Sequence, residues 1–291
     1  NTIDAANNNL VYRPMVEGDP DILFMGSIVN RGNGFYQFDA QMSHLTCFVG
    51  GMYAMGSKIF NRPNDLETAR KLTQGCVWAY NSTRTGVMPE SLTVRRCPTN
   101  SSTCHFNFDT VDEVVQEDST NILNSLHQQG ISTGVYDAYS LMTKPNISVI
   151  NDENGGTRWP VDGHYDQPRS FIRMDSRYIL RPEALESVFY MYRITGEKIW
   201  QDQGWQMFES IVNVSGIDSG SGSIQGYSGI GDVSDDRPLS QQSNKYLDSA
   251  ESFWWAETLK YAYLLFTDPD VISLDDYVLN TEAHPLRRRT A

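Results

Sequence analysis

The stretch RPEALES, residues 181–187, places two carboxylates, Glu183 and Glu186, three residues apart directly behind an Arg-Pro pair. On a helix that spacing puts both on one face, and two chemistries fit it. Acidic residues in a first helical turn favour the positive end of the dipole by roughly 0.3–1 kcal/mol. Pro182 suits the first helical position, where its missing N–H would be unpaired anyway. The same carboxylates could instead handle a proton, because a glutamate kept ionised at a helix N-terminus is in the state a general base needs. Glu257, in ESFWWAETLKY, stands inside an aromatic and aliphatic run. A carboxylate there is costly unless it is paired, hydrogen-bonded or bound to a cation, and a salt bridge to an internal Lys or Arg is the simple alternative. Phe253 lies one turn earlier on the same side, where a core aromatic is the ordinary reading. Thr281, Glu282 and His284 in LNTEAHPL could form a Thr-capped turn, or could offer oxygens to Ca²⁺ without any EF-hand pattern. His44 sits among apolar residues like a satisfied core histidine, and Glu90 in TGVMPES reads as a loop carboxylate. Taken singly, none of these residues selects a reaction.

The elements that must position them are helical. Residues 39–58 carry Leu45, Phe48, Val49 and Tyr53 at helical spacing and predict a helix bearing His44. A second helix is expected over 65–80, with Asn64 as its N-cap and Glu67 completing a capping box. Residues 182–195 place Leu185, Val188, Phe189 and Tyr192 on one face, with Gly196 set to end the helix and a partner over 197–213. Residues 248–266 are apolar around most of their girth, as a buried helix would be. Between these, residues 84–178 are polar with short β-prone pieces such as SVI, and 214–235 form a Gly- and Ser-rich loop. Connections of that length are usually functional. Short turns alternating with long loops suggest helical hairpins around a common centre. The opening TIDAANNNLVYRPM reads as the middle of an amphipathic helix, so sequence upstream of it is expected.

A chain of 291 residues, 40% apolar and 11% aromatic, can bury a sizeable core. Six tryptophans and fifteen tyrosines fit either that core or a carbohydrate site. A net charge of −13 argues against a nucleic-acid partner, and the one basic run, Arg287 to Arg289, reads as a solvated tail. No stretch approaches the roughly 20 apolar residues needed to span a bilayer, so no membrane contact is expected from this segment. None of the cysteines forms a CxxC pair or has a histidine at zinc-site spacing. Cys97 and Cys104 flank a short loop and could close a local disulfide; Cys47 and Cys76 could staple two successive helical segments. Sequons at Asn81, Asn100, Asn146 and Asn213 join the even cysteine count in predicting residence in the secretory pathway.

Together, YILRPEALESVFYMYRITGEKIWQDQGWQMFESI, ESFWWAETLKYAYLLF and LDDYVLNTEAHPL resemble glycoside hydrolase family 47, the class I α-1,2-mannosidases. HLTCFVGGMYAMG is similar to a further block of that family, and the Cys47–Cys76 pair to its characteristic disulfide. The blocks run in family order from about residue 36 to 286 and look closest to fungal secreted members. The resemblance implies an all-α (α/α)7 barrel of helical hairpins, of which this chain supplies the C-terminal part, with small β pieces in its loops. It implies one Ca²⁺ at the bottom of a funnel, held directly by Thr281 through hydroxyl and carbonyl. Glu183 then resembles the general base; Glu90, Glu186, Glu257 and Glu282 the carboxylates around the metal's waters and the sugar; His44, Arg181 and Phe253 the substrate contacts. An inverting glycosidase needs an acid and a base roughly 6.5–9.5 Å apart. The family's acid and catalytic aspartate lie in N-terminal hairpins that have no counterpart here. The implied activity is removal of terminal α-1,2-linked mannose from high-mannose N-glycans, by a secreted or Golgi-luminal enzyme, in partnership with the N-terminal segment as a second chain. A mannose-binding relative in glycoprotein quality control is the alternative. A helical domain with incidental carboxylates is a third, and it would be indifferent to chelation.

Overall fold

Glycines decide how closely the central helices pack. In the computed structural model, which describes residues 2–32, 35–97, 104, 106, 150–151, 157–158, 168, 170–218, 222–236 and 245–289, the helices are α1 Thr2–Asn9, α2 Phe48–Ile59, α3 Pro63–Asn81, α4 Glu183–Thr195, α5 Ile199–Ser215 and α6 Leu259–Phe266. A 3₁₀ turn, His44–Cys47, leads into α2, and a π-helical turn, Trp254–Thr258, leads into α6. Helix α4 is central and packs against α2, α3, α5 and α6. A methyl on Gly50 would stand 2.3 Å from the Thr73 hydroxyl, and one on Gly51 would stand 2.8 Å from the Tyr190 ring, so both glycines permit the close approach of α2 to its neighbours.

The buried face of α2 is Gly50, Gly51, Tyr53, Ala54 and Ser57; of the residues expected there, Tyr53 is buried, Val49 is half-buried against the core, and Leu45 and Phe48 face outward. Leu45, Phe48, Met52, Ile59 and Phe60 are exposed. The helix also begins later than the spacing predicts. Gln41–Ser43 is a strand, paired antiparallel with Ser91–Thr93, which pairs in turn with Arg173–Asp175. Helix α3 starts at Pro63 with Arg62 as the residue before it, not at Asn64, and the Arg62 Nε lies 2.5 Å from Asp65 Oδ2. Gly196 ends α4 as expected, in the left-handed conformation at φ 71°.

Two other expectations change. Helix α1 stops at Asn9, and Val11–Tyr12 pairs with Phe24–Met25, since Pro14 cannot continue a helix. The Gly/Ser-rich stretch after α5 contains a hairpin, Gly216–Asp218 against Ile224–Tyr227, and the Tyr227 ring packs 4.8 Å from Trp254. The segment 248–266 is not buried all round, because Trp255, Tyr263 and Phe266 are exposed. Most of residues 98–169, including Asn100 and Asn146, fall outside the described residues.

Disulfides join Cys47 to Cys76, tying the 3₁₀ turn to α3, and Cys97 to Cys104 beside Met15 and Phe106. The Ser187 hydroxyl on α4 donates to the Cys47 carbonyl and accepts from the Gly51 N–H at 2.8 Å, so the same turn is also tied to α4. Among the described residues, no helix is long and apolar enough to cross a membrane.

Candidate active site

The N-terminus of α4 is where the chemistry-bearing segments meet. Leu180 holds a left-handed backbone at φ 68°, and the buried Thr258 hydroxyl donates to its carbonyl at 2.7 Å. That contact ties the π-helical turn to the approach into α4, a non-glycine conformation that costs roughly 1–2 kcal/mol. Pro182 is the capping residue and Glu183 the first helical one, so the cap sits one position later than the proline rule suggests. Four segments far apart in sequence converge here: the turn at His44, the loop at Glu90, residues 181–186, and residues 253–261.

His44 is completely buried, with Nδ1 2.9 Å from Glu183 Oε2 and Nε2 2.9 Å from the Tyr80 hydroxyl. The His44 N–H donates to the Glu90 carbonyl at 2.8 Å, which brings Glu90 alongside. The Arg181 Nε donates to both Glu90 carboxylate oxygens at 2.8 Å, and another guanidinium nitrogen lies 3.7 Å from Glu183 Oε1. The same guanidinium sits over the Phe253 ring at 5.7 Å from its centre. Glu186 accepts from the Tyr261 hydroxyl at 2.8 Å.

The environment drives neighbouring carboxylates in opposite directions. Burial pushes the Glu183 carboxyl up, but the His44 hydrogen bond and charge, its own backbone N–H and Arg181 together outweigh burial and hold it below the usual carboxylate range. Glu186, without such partners, is pushed up to about 8 by burial and by the charges of Glu183 and Glu257, against the Tyr261 hydrogen bond. Glu257 is pushed up to about 7 by burial and by repulsion from Glu183 and Glu282, which Lys260 only partly offsets.

Thr281 and Glu282 occupy the exposed turn between strands Tyr277–Leu279 and Pro285–Arg287. The turn is capped by Asn280 rather than by Thr281. The Asn280 side-chain oxygen accepts from the backbone N–H of Glu282 at 3.1 Å and of His284 at 2.8 Å. Lys260 anchors the turn through the Ala283 carbonyl at 2.9 Å. Among the described residues, no group of three or more His, Cys, Asp and Glu is arranged to hold a metal. What is present is a set of mutually repelling carboxylates beside a turn with a hydroxyl and carbonyls, all hard oxygen donors. That donor set fits a hard divalent cation that keeps most of its water.

Of the residues singled out in the sequence, the structure brings His44, Glu90, Arg181, Glu183 and Phe253 into contact; Glu186, Glu257 and Glu282 join them through charge. Asn81 and Asn213 are exposed near the ends of α3 and α5. Tyr80, Tyr178, Tyr261 and Asn280 carried no local signal, because each acts on a residue that only folding brings near or, for Asn280, on backbone N–H groups.

The family description glycosyl hydrolase family 47 matches residues 1–288. A mannosyl-oligosaccharide 1,2-alpha-mannosidase of Candida albicans is 29% identical over 293 residues, covering 96% of this chain and 41% of the relative. The human endoplasmic reticulum mannosyl-oligosaccharide 1,2-alpha-mannosidase is 31% identical over 251 residues, 86% of this chain and 25% of its own length. The alpha-1,2-mannosidase from Trichoderma reesei superposes with a TM-score of 0.63 at 24% identity, covering 99% of this chain and 46% of that structure. The chain is thus matched over most of its own length but spans less than half the length of each of these relatives. It belongs to glycosyl hydrolase family 47.

Proposed function

We propose that this chain is the C-terminal part of an (α/α)7-barrel mannosidase that removes terminal α-1,2-linked mannose from high-mannose N-glycans with inversion. The observation that carries this reading is the pairing of Glu183 with His44 and Arg181, which keeps one carboxylate ionised in a pocket where Glu186 takes up a proton. Glu183 takes the proton of the attacking water as general base. Arg181 and Phe253 line the sugar pocket, with Phe253 giving an apolar face; His44, expected as a substrate contact, is buried with both ring nitrogens engaged and acts on the site through Glu183. Glu90, Glu186, Glu257 and Glu282 accept from sugar hydroxyls and metal-bound waters. Bound Ca²⁺, reached by the hydroxyl and carbonyl of Thr281, would hold the attacking water and the mannose hydroxyls.

The general acid comes from an N-terminal segment, present as a second chain or as the rest of a longer one. The exposed apolar residues Leu45, Phe48, Met52, Ile59 and Phe60 support such a partner, because uncovered faces of this kind normally pack against something. The disulfides and the sequons at Asn81, Asn100, Asn146 and Asn213 support passage through the secretory pathway, with glycans on those asparagines.

The test uses the full-length enzyme with a high-mannose oligosaccharide, following the anomer of released mannose by NMR. Glu183→Gln is expected to abolish turnover while keeping sugar binding, and the β-anomer is expected first from the unaltered enzyme. Turnover retained by Glu183→Gln would refute the assignment. Binding without turnover in the unaltered protein would favour a mannose-binding role.

A further inference from the structure

Glu183 is oriented by a histidine, and the histidine is held by two tyrosines. Tyr80, on α3, and Tyr178 are both fully buried. The Tyr80 hydroxyl lies 2.9 Å from His44 Nε2, and the Tyr178 hydroxyl, beside that of Tyr80, donates to the Arg181 carbonyl at 3.2 Å. Both phenol rings flank the imidazole, each with its centre 5.7 Å away. Burial holds both hydroxyls well above the usual phenol range, so each keeps its proton to donate.

We propose that Tyr80 and Tyr178 are positioning residues for the base: they keep the Nδ1–H of His44 on Glu183 in either charge state of the imidazole. The inference rests on reading Glu183 as the general base. Counting protons shows how it works. With His44 neutral, Tyr178 donates to the Arg181 carbonyl, Tyr80 donates to Nε2, and Nδ1–H donates to the carboxylate. With His44 protonated the Tyr80 proton turns round: Nε2–H donates to Tyr80, Tyr80 to Tyr178, and Tyr178 still to the Arg181 carbonyl. Both senses pair every buried polar atom of the chain and leave Glu183 the same donor.

Without the Tyr80 hydroxyl, Nε2 has no partner in an apolar enclosure and the tautomer is no longer fixed. A proton on Nε2 would then turn the Nδ1 lone pair onto the carboxylate, and Glu183 would hold its own proton more tightly. The other charged groups acting on Glu183 or repelled by it, namely Arg181, Glu186 and Glu257, are untouched by the change.

The experiment is a pH profile of kcat/KM for the full-length enzyme carrying Tyr80→Phe, with a high-mannose oligosaccharide. The acidic limb is expected to move up by about one pH unit, with kcat falling about tenfold and KM nearly constant. Tyr178→Phe shifts the limb less, in the same direction. If Tyr80→Phe does not fold, 3-fluorotyrosine at position 80 keeps the shape and gives a stronger donor, and the limb then moves down. An acidic limb that stays in place in the variant that folds overturns the proposal, even if kcat drops. Glu183→Gln is run alongside. If it is inactive while the tyrosine variants leave the limb unmoved, only the tyrosine assignment fails; if it turns over, the base assignment fails and takes this inference with it.

Discussion

Glu186 gives a stability signature that calcium should erase. Its carboxyl is nearly inaccessible and is pushed up to about 8 by burial and by the charges of Glu183 and Glu257. A carboxyl raised above its unfolded value stabilises the fold only while protonated there. The contribution is whole below the unfolded value of 4.5 and is lost as pH rises toward 8. A span of about 3.5 units corresponds to roughly 5 kcal/mol in total, of which about 4 kcal/mol falls between pH 5 and pH 8.5. Glu183 is shifted the other way, so its contribution is lost only at more acid pH. The assay is urea unfolding of the calcium-free full-length enzyme across that range. Stability should fall with rising pH, Glu186→Gln should reduce the slope to the part owed to Glu257 while still accepting from Tyr261, and added Ca²⁺ should restore stability mostly at high pH. An unchanged pH slope in Glu186→Gln would refute the reasoning.

Two further substitutions test how the site is positioned. Thr258→Val leaves the buried Leu180 carbonyl without its donor and should cost about 1–3 kcal/mol in denaturant melts, with a loss of kcat that follows the displaced Arg181. Gly50→Ala puts a methyl 2.3 Å from the Thr73 hydroxyl and should destabilise by about 1–3 kcal/mol; a neutral result would mean that α2 and α3 have slack the structure does not show.

Helix α4 was legible in the sequence because one apolar face, two acidic first-turn residues and a terminal glycine all agree. Helix α2 was legible in type and not in orientation. Its buried side is mostly glycine, alanine and serine around Tyr53, so the hydrophobic spacing also picks out Leu45 and Phe48, which face outward. The strand at Gln41–Ser43 was hidden because its partner, Ser91–Thr93, lies some fifty residues away and contributes only three residues to the pairing. At the site, the carboxylates were readable as anomalies of composition, and the family resemblance gave them roles. The tyrosines behind His44 were not readable. A buried phenol on a helix looks like core, and only the fold shows which imidazole it meets.

The Cys47–Cys76 bond has a consequence beyond fastening a turn to a helix. Cys47 follows His44 by three residues on the 3₁₀ turn, and Cys76 precedes Tyr80 by four on α3, so the covalent link spans the same two elements as the His44–Tyr80 hydrogen bond. Closing this loop contributes about 4 kcal/mol by restricting the unfolded chain. The link also sets the distance across which the imidazole is held. The orientation of Glu183 therefore depends on the redox history of the molecule. A freshly made, still reduced copy has the carboxylate but lacks the covalent clamp behind its orienting histidine. Competence would arrive with oxidation, so the compartment that oxidises the chain would also arm it.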